Sequence, residues 1–186
     1  MDSDTANAII AGLALITSTI SVFFTRASIM AQERHNRLSV RPIPYVAENF
    51  LPNPDRLAVD LQNNGVGPIR IIRCTVVDAT DPGIHADNLH SLMPDLPPGI
   101  EWENYVALIG DRWLKTESML RLIELTDQER RWSGDKRKSY LDFRQRVAAR
   151  LSTLTVKIEY TDVYGTKFEP YEKSLAWFAK FGAQVS

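Results

Sequence analysis

The chain has 186 residues, a formal net charge of −1 and one cysteine. A single cysteine excludes an intrachain disulfide and therefore the small secreted domains that disulfides hold together. The nearly neutral charge neither favours nor disfavours nucleic acid as a partner. Internal repeats and low-complexity tracts are absent.

Residues 6–25 contain no charged side chain and lie between Asp4 and Arg26. Twenty helical residues span about 30 Å, the thickness of a bilayer's hydrocarbon core. We therefore predict a transmembrane helix here, preceded by an extracytoplasmic tail over residues 1–5. The acidic tail and the poor cleavage site disfavour a signal peptide, and the lack of a polar stripe disfavours a buried core helix.

Basic residues follow the span, whereas the tail before it is acidic. Arg26, Arg34, Arg37 and Arg41 face only one acid, Glu33. Loops rich in Lys and Arg stay in the cytoplasm. The N-terminus is therefore predicted outside, and the bulk of the chain in the cytoplasm.

After the span, residues 26–41 are predicted to continue as a juxtamembrane helical stalk, because no Gly or Pro interrupts them before Pro42. The remaining residues 42–186 are predicted to form one cytoplasmic domain. A domain of roughly 145 residues is large enough to bury its own core.

The first half of this domain has the pattern of β-strands. Residues 56–62 alternate between apolar and polar side chains and predict a half-buried strand. The Asn- and Gly-rich residues 63–68 predict a turn, followed by a strand over residues 69–77. Residues 78–99 are rich in Pro and Gly and predict a long connection, with one short helical turn near residues 86–93.

The next segments are mixed. Residues 102–109 fit a strand and a short helix equally well, and residues 116–125 predict a strand. Residues 126–129 have the pattern of a capping box that leads into a short helix. In residues 139–151, apolar side chains recur at spacings of three and four, which predicts an amphipathic helix.

The chain is predicted to end with a hairpin. Residues 155–161 form its first strand, residues 162–165 its turn and residues 166–171 its second strand. Residues 174–181 are rich in aromatic side chains and are predicted to cover the core or touch the membrane surface. The predicted fold class is mainly β with a helical insertion: an N-terminal transmembrane helix followed by an antiparallel, Ig-like β-sandwich.

Three motifs resemble a known group of proteins. They are HNRLSVRP at residues 35–42, NNGVGP at residues 63–68 and IEYTDVYG at residues 158–165. Together they resemble uncharacterised bacterial single-span membrane proteins that carry a small cytoplasmic β-sandwich domain. The resemblance implies a location in the cell inner membrane, and it supplies no catalytic residues.

No set of residues predicts catalysis. Cys74 lies in a predicted strand, which is typical of a buried small apolar side chain. His85 and His90 lack the close spacing of zinc ligands, and Glu101 and Glu103 are a pair of a kind common on surfaces. Phosphate-binding loops and nucleophile elbows are absent from the sequence. We predict that the protein is not an enzyme and has no cofactor, metal or catalytic residue.

Two kinds of contact residue are predicted instead. The basic stretch over residues 130–150 is most simply a solvated helix face, and attraction to anionic lipid is the sharper interpretation. The predicted contacts with the membrane surface or a partner are Arg26, Arg34, Arg37, Arg137, Lys138 and Arg144. Small residues let helices approach closely. The predicted self-association residues in the span are Ala8, Gly12 and Ser18.

The leading functional prediction is a non-catalytic, membrane-anchored interaction or sensing module on the cytoplasmic face. A second is an oligomerising membrane effector that perturbs the bilayer in bacterial anti-phage defence. A third is an enzyme of a class without local motifs. The predicted partners are the lipid bilayer and either a protein or a second copy of the chain, and nucleic acid is the less favoured partner.

Overall fold

The N-terminal segment is one uninterrupted helix, α1 (Ser3–Ser39), of 37 residues. The computed structural model describes residues 2–52, 55–127 and 133–182. As predicted, the helix runs through the apolar stretch and the basic stretch after it, and it ends shortly before Pro42. It is long and apolar enough to span a membrane.

Hydroxyl groups inside α1 are satisfied by the helix itself. Four of them donate to the backbone carbonyl four residues earlier at 2.8 Å, namely those of Thr17, Thr19, Ser21 and Thr25. This bond removes most of the cost of placing a hydroxyl in an apolar medium. The polar residues of the stretch are therefore compatible with a hydrocarbon environment.

The second compact unit begins at Val40 and contains the strands. In chain order they are β1 (Pro44–Pro52), β2 (Asp55–Asn63), β3 (Ile69–Asp78), β4 (His85–Ala86), β5 (Asn104–Tyr105), β6 (Arg112–Leu114), β7 (Met119–Thr126), β8 (Leu154–Thr161) and β9 (Tyr171–Ser174). They form two antiparallel sheets, so the mainly-β domain is confirmed.

The first sheet has the strand order β1-β2-β7-β5. In the second sheet the order is β4-β3-β8-β9, and β6 pairs with the start of β3. The predicted strands on either side of residues 63–68 therefore lie in different sheets. The turn between them carries the chain from one sheet to the other.

One hydrophobic cluster joins inward-facing residues of both sheets to α2 (Gly134–Ser152). The predicted apolar stripe of α2 is buried in it, including Tyr140, Phe143, Val147 and Leu151. The helix begins earlier than predicted, at residue 134 rather than 139. Near the C-terminus, Leu175 is buried against the same cluster, together with residues from α3 (Ala179–Gly182) and the turn before it. This segment covers the core, one of the two predicted outcomes.

The predicted hairpin after β8 is wrong in its second strand. Of the predicted residues 166–171, only Tyr171 pairs in the ladder, as the first residue of β9, and a single bridge forms earlier, between Thr161 and Lys167. The carboxylate of Asp162 accepts two backbone N–H groups and widens the turn. Pro170 also lacks the N–H that a ladder position needs.

Other predictions have mixed outcomes. The short helical turn is present as a single 3-10 turn, His90–Leu92, and the undecided residues 102–109 contain the strand β5. The predicted capping box covers residues 126–129 and leads into a short helix. From residue 128 to residue 132 this prediction lies outside the described residues.

The sheet-to-sheet turn is held by the buried side chain of Asn63. Its Nδ2 donates to the carbonyl oxygens of Gly67, Leu114 and Lys115 at 2.8, 3.3 and 3.2 Å. Buried polar groups must be paired, and Gly67 and Lys115 lie just outside the β-ladders. One amide thus joins the turn to the end of β6.

The other half of the amide binds the start of the domain. Oδ1 of Asn63 accepts from the backbone N–H of Ile43 and of Gly65. A methyl group at Gly67 would overlap the carbonyl of Val40. The motif at residues 63–68 therefore packs directly on residues 40–43, which end the motif at residues 35–42.

Replacing Asn63 with Ala should lower the free energy of unfolding by about 3 kcal/mol or more, because several buried backbone groups lose their partner. All four tryptophans follow residue 100, so their fluorescence during urea unfolding in detergent reports on the domain. The neighbouring exposed Asn64→Ala is the matched control and should change stability by less than about 0.5 kcal/mol. Equal stability of the two variants would contradict this role for Asn63.

Candidate functional site

The only cysteine is a buried core residue. Cys74 lies in β3 and is 2% exposed. Burial, reinforced by the negative charge of Asp87, raises the pKa of its thiol to about 12. A thiol with such a pKa is almost entirely protonated at neutral pH, and only the thiolate is a good nucleophile.

The histidines and carboxylates of the long connection do not form a reactive group. The ring of His90 stacks on Tyr105 at 4.1 Å and meets the edge of Trp102 at 5.9 Å. A ring nitrogen of His85 lies 3.2 Å from the carbonyl oxygen of Gly83. Within the part of the chain that the structure describes, no three His, Cys, Asp or Glu residues are placed to hold a metal ion.

A network of four charged side chains crosses the first sheet. Nε of Arg56 binds Glu124 at 2.6 Å, and Nε of Arg121 binds Asp60 at 3.0 Å. Nη1 of Arg121 also binds Glu124 at 2.6 Å, and both carboxylates are nearly buried. Two positive and two negative charges therefore neutralise each other, and the network stabilises the pairing of β2 with β7.

Sequence patterns did not predict this network. The alternation of residues 56–62 in the sequence already predicts that Arg56 and Asp60 lie on the same face of β2. Their partners are about sixty residues away and depend on the register between β2 and β7, including its bulge after Val59. A period of two along one strand carries no information on that register.

The predicted contact residue Arg144 is used inside the domain. It is 4% exposed, donates to the carbonyl of Leu51 at 2.7 Å, and its guanidinium lies 3.9 Å from the ring centre of Phe50. Stacked and hydrogen-bonded in this way, it presents almost no charge to a membrane surface. Arg144 is therefore poorly placed to contact the membrane surface or a partner, although the sequence predicted such a contact.

The other cations of α2 have different environments. Arg137 pairs with the buried carboxylate of Asp127 at 3.1 Å, whereas Lys138 is exposed. Arg150 forms an ion pair with Asp78 and donates to Leu92, which ties the helix to β3 and to the long connection. Among the described cations of the stretch, Arg137, Arg144 and Arg150 make internal contacts, whereas Lys136, Lys138 and Arg146 are exposed.

Asp78 has a pKa held well below its usual range. The main cause is the hydrogen bond from the Thr80 hydroxyl, followed by the hydrogen bond from Arg150. A carboxylate stabilised in this way stays ionised throughout the neutral range. It fixes the end of β3, because Thr80 follows this strand and Arg150 belongs to α2.

The predicted contact residues on α1 are exposed, but two of the predicted self-association residues lie on different faces of the helix. Arg26, Arg34 and Arg37 all lie on the solvent-accessible surface. Gly12 has open space around it, but Ser18 lies six residues further on, about 120° around the helix. These two residues cannot both occupy the centre of one two-helix interface. The Ala8 side chain lies outside the described residues.

A different stripe is continuous along α1. Small or polar residues recur at alternating spacings of three and four, the period at which one face of a helix meets another helix. The stripe consists of Asn7, Ala11, Ala14, Ser18, Ser21, Thr25, Ser28 and Gln32. The unbroken helix keeps all of them on one face, whereas the bulky Ile16 and Ile20 lie on the opposite face.

A shallow groove of about 660 Å³ opens beside β5. Its wall includes the exposed apolar side chains of Tyr105, Leu108 and Met119. Arg112 lines it as well and has no ion-pair partner among the described residues. An exposed apolar patch of this kind, with one available cation, is typical of a surface that binds another molecule.

The sequence matches the family described as a domain of unknown function, DUF8453, over residues 5–179. The chain belongs to this family. The match covers most of α1 and all of the strands. No curated protein matches the sequence.

The burial of Cys74 makes a direct prediction for thiol chemistry. In the native protein at pH 8 it should react with a maleimide far more slowly than free cysteine, because both exposure and thiolate are lacking. Unfolding in urea should restore the normal rate. Labelling followed by mass spectrometry measures both, and rapid labelling of the native protein would exclude the buried position.

Proposed function

We propose that the protein is a non-catalytic, membrane-anchored interaction module on the cytoplasmic face of the inner membrane. The observation that carries this proposal is the surface of α1. Between Ile9 and Met30, every large apolar side chain is at least half exposed. Water does not support a continuous apolar surface of this length, and lipid does.

The orientation rests on charge. Arg26, Arg34 and Arg37 follow the apolar stretch and are exposed, whereas Asp2 and Asp4 precede it. The positive-inside rule then places the domain in the cytoplasm. We propose that Arg26, which directly follows the uncharged stretch, meets anionic headgroups.

The domain supports binding better than catalysis. Its nucleophile is buried, and its strongest charge networks are closed within the fold. The groove beside β5 offers Leu108 and Met119 as apolar contacts and Arg112 as a cation. We propose that it receives a protein segment that combines apolar and acidic side chains.

The two sheets are proposed to form an Ig-like sandwich. Their edges are joined where the N–H of Val46 in β1 donates to the Tyr171 hydroxyl in β9 at 3.2 Å. Beside it, Lys173 pairs with Glu48 at 3.0 Å. These contacts cover the free edge of β1, which would otherwise be open to pairing with another chain.

Arginine at two positions in the span tests the anchor. Ile16→Arg combined with Ile20→Arg should disfavour insertion by about 6 kcal/mol and remove the protein from the membrane pellet after an alkaline wash. Ile72→Arg with Ile84→Arg, on exposed positions of the domain, is the charge-matched control. Retention of both variants in the pellet would contradict a membrane span.

A second candidate function is an oligomerising effector that perturbs the bilayer in bacterial anti-phage defence. The small and polar stripe of α1 favours it, because such a face allows close helix approach and hydrogen bonds within lipid. Ser18 and Ser21 lie on this stripe. Self-association through α1 would bring several domains together at one place on the membrane.

Cysteine scanning of residues 14–25 tests this second candidate. Oxidative crosslinking in membranes should peak at positions 14, 18, 21 and 25 and be weakest at positions 16 and 20, following the coiled-coil period. The buried Cys74 leaves the background low. Uniform or absent crosslinking along the segment would count against an oligomer formed through this face.

A further inference from the structure

Four segments meet at the end of the domain where its chain begins. They are residues 40–43, 63–68, 115–118 and 161–168, which we call the loop end. The Thr116 hydroxyl donates to the carbonyl of Val66 at 2.9 Å and joins two of them. Residues 40–43 contact residues 63–68 through the glycines described above, so the segments form one surface.

The last segment is attached through aromatic rings. The guanidinium of Arg41 lies 5.8 Å from the ring centre of Phe168. Phe168 stacks on Tyr160 of β8 at 5.3 Å. The segment after β8 is therefore held beside the first residues of the domain.

Two turns of the loop end carry apolar residues at their tips without a structural reason. In the first turn Asn63 supplies the bonds, Gly65 and Gly67 allow the close approach to residues 40–43, and Val66 is 66% exposed. In the second turn the Asp162 carboxylate accepts from two N–H groups, Gly165 has a positive φ of 76°, and Tyr164 is 56% exposed. Turn tips normally carry polar residues.

Further apolar side chains stand beside these tips. Val163 and Ile43 are also exposed. Exposed apolar side chains that gather on one rigid surface mark a contact with lipid or protein. A tyrosine among them suits the boundary between headgroups and acyl chains, because its ring is apolar and its hydroxyl polar.

The loop end carries charges of both signs, and some of its cations have no ion-pair partner within the described part of the chain. Arg41, Lys115 and Lys167 are exposed and have no ion-pair partner among the described residues, whereas Glu117 and Glu169 supply the nearby negative charge. Cations that lack a partner are attracted to anionic lipid. Apolar tips rimmed by such cations match the chemistry of a headgroup layer.

Chain length brings this surface close to lipid. The predicted span ends at Thr25, and from there to Ser39 the helix rises about 21 Å. The headgroup layer on one side of a bilayer is about 6 Å thick. The tether is longer than this layer is thick, but it confines the domain to the neighbourhood of the bilayer, and a short tether makes weak contacts effective.

We propose that the loop end docks on the headgroup layer of the cytoplasmic leaflet. The side chains of Val66, Val163 and Tyr164 enter the boundary region, and Arg41 and Lys167 face anionic headgroups. This inference rests on the proposed membrane anchor and adds a second contact between the protein and lipid. Such a contact would hold the domain in one orientation relative to the membrane surface. The groove beside β5 would then face a fixed direction.

A fluorescent depth probe tests the docking in the full chain. NBD is attached to Val66→Cys or, as the control, to Ile84→Cys, which lies beyond the other end of β3, about 30 Å away. The protein is reconstituted in vesicles of phosphatidylcholine and phosphatidylglycerol with or without nitroxide-labelled lipid. The buried Cys74 stays unlabelled, and a Cys74→Ala version of each variant verifies this.

We expect nitroxide lipid to remove most of the emission at position 66 and to leave the emission at position 84 unchanged. Val163→Asp with Tyr164→Asp should restore the emission at position 66. Equal emission at the two positions in inserted protein would overturn the docking and leave the anchor intact. Protection of position 66 from aqueous iodide without quenching by lipid would also overturn it, because protein would then cover the surface. Failure of the chain to enter vesicles would instead refute the proposed membrane anchor.

Discussion

The side-chain amide of Asn63 is the contact on which the rest of the domain depends. It lies where the chain leaves the first sheet for the second, and it satisfies backbone groups of three separate segments. A polar network buried at such a crossing fixes one arrangement, because any other leaves carbonyls without donors. The close packing of Gly67 on Val40 follows from it, since the turn must lie against the first residues of the domain.

Part of the charge in this protein is closed within the fold. Arg56, Asp60, Arg121 and Glu124 neutralise one another, and Arg144 stacks inside the domain. Removing one member of such a buried set would leave an uncompensated charge. The exposed cations near the groove and on the loop end, such as Arg112 and Arg41, stay available for other partners.

Helix periodicity and strand alternation were predictable because they depend on neighbouring residues alone. The amphipathic stripe of α2 and the alternation of residues 56–62 were found for this reason. Register, edge contacts and ion pairs were not, because they join residues far apart in the chain. Arg144 is an example. Its position in the helical pattern is typical of an exposed residue, but in the folded domain it contacts Phe50 and Leu51 and is buried.

The sequence by itself determined the long apolar helix, the charge asymmetry around it and the existence of a β-rich domain after it. Each depends on composition and short periods, which local physics sets. Tertiary structure alone decided that residues 63–68 cross between sheets, that the last strand of the second sheet begins only at Tyr171, and that three separated motifs meet at one end. Those outcomes depend on which distant backbone groups find partners, and no local pattern specifies that choice.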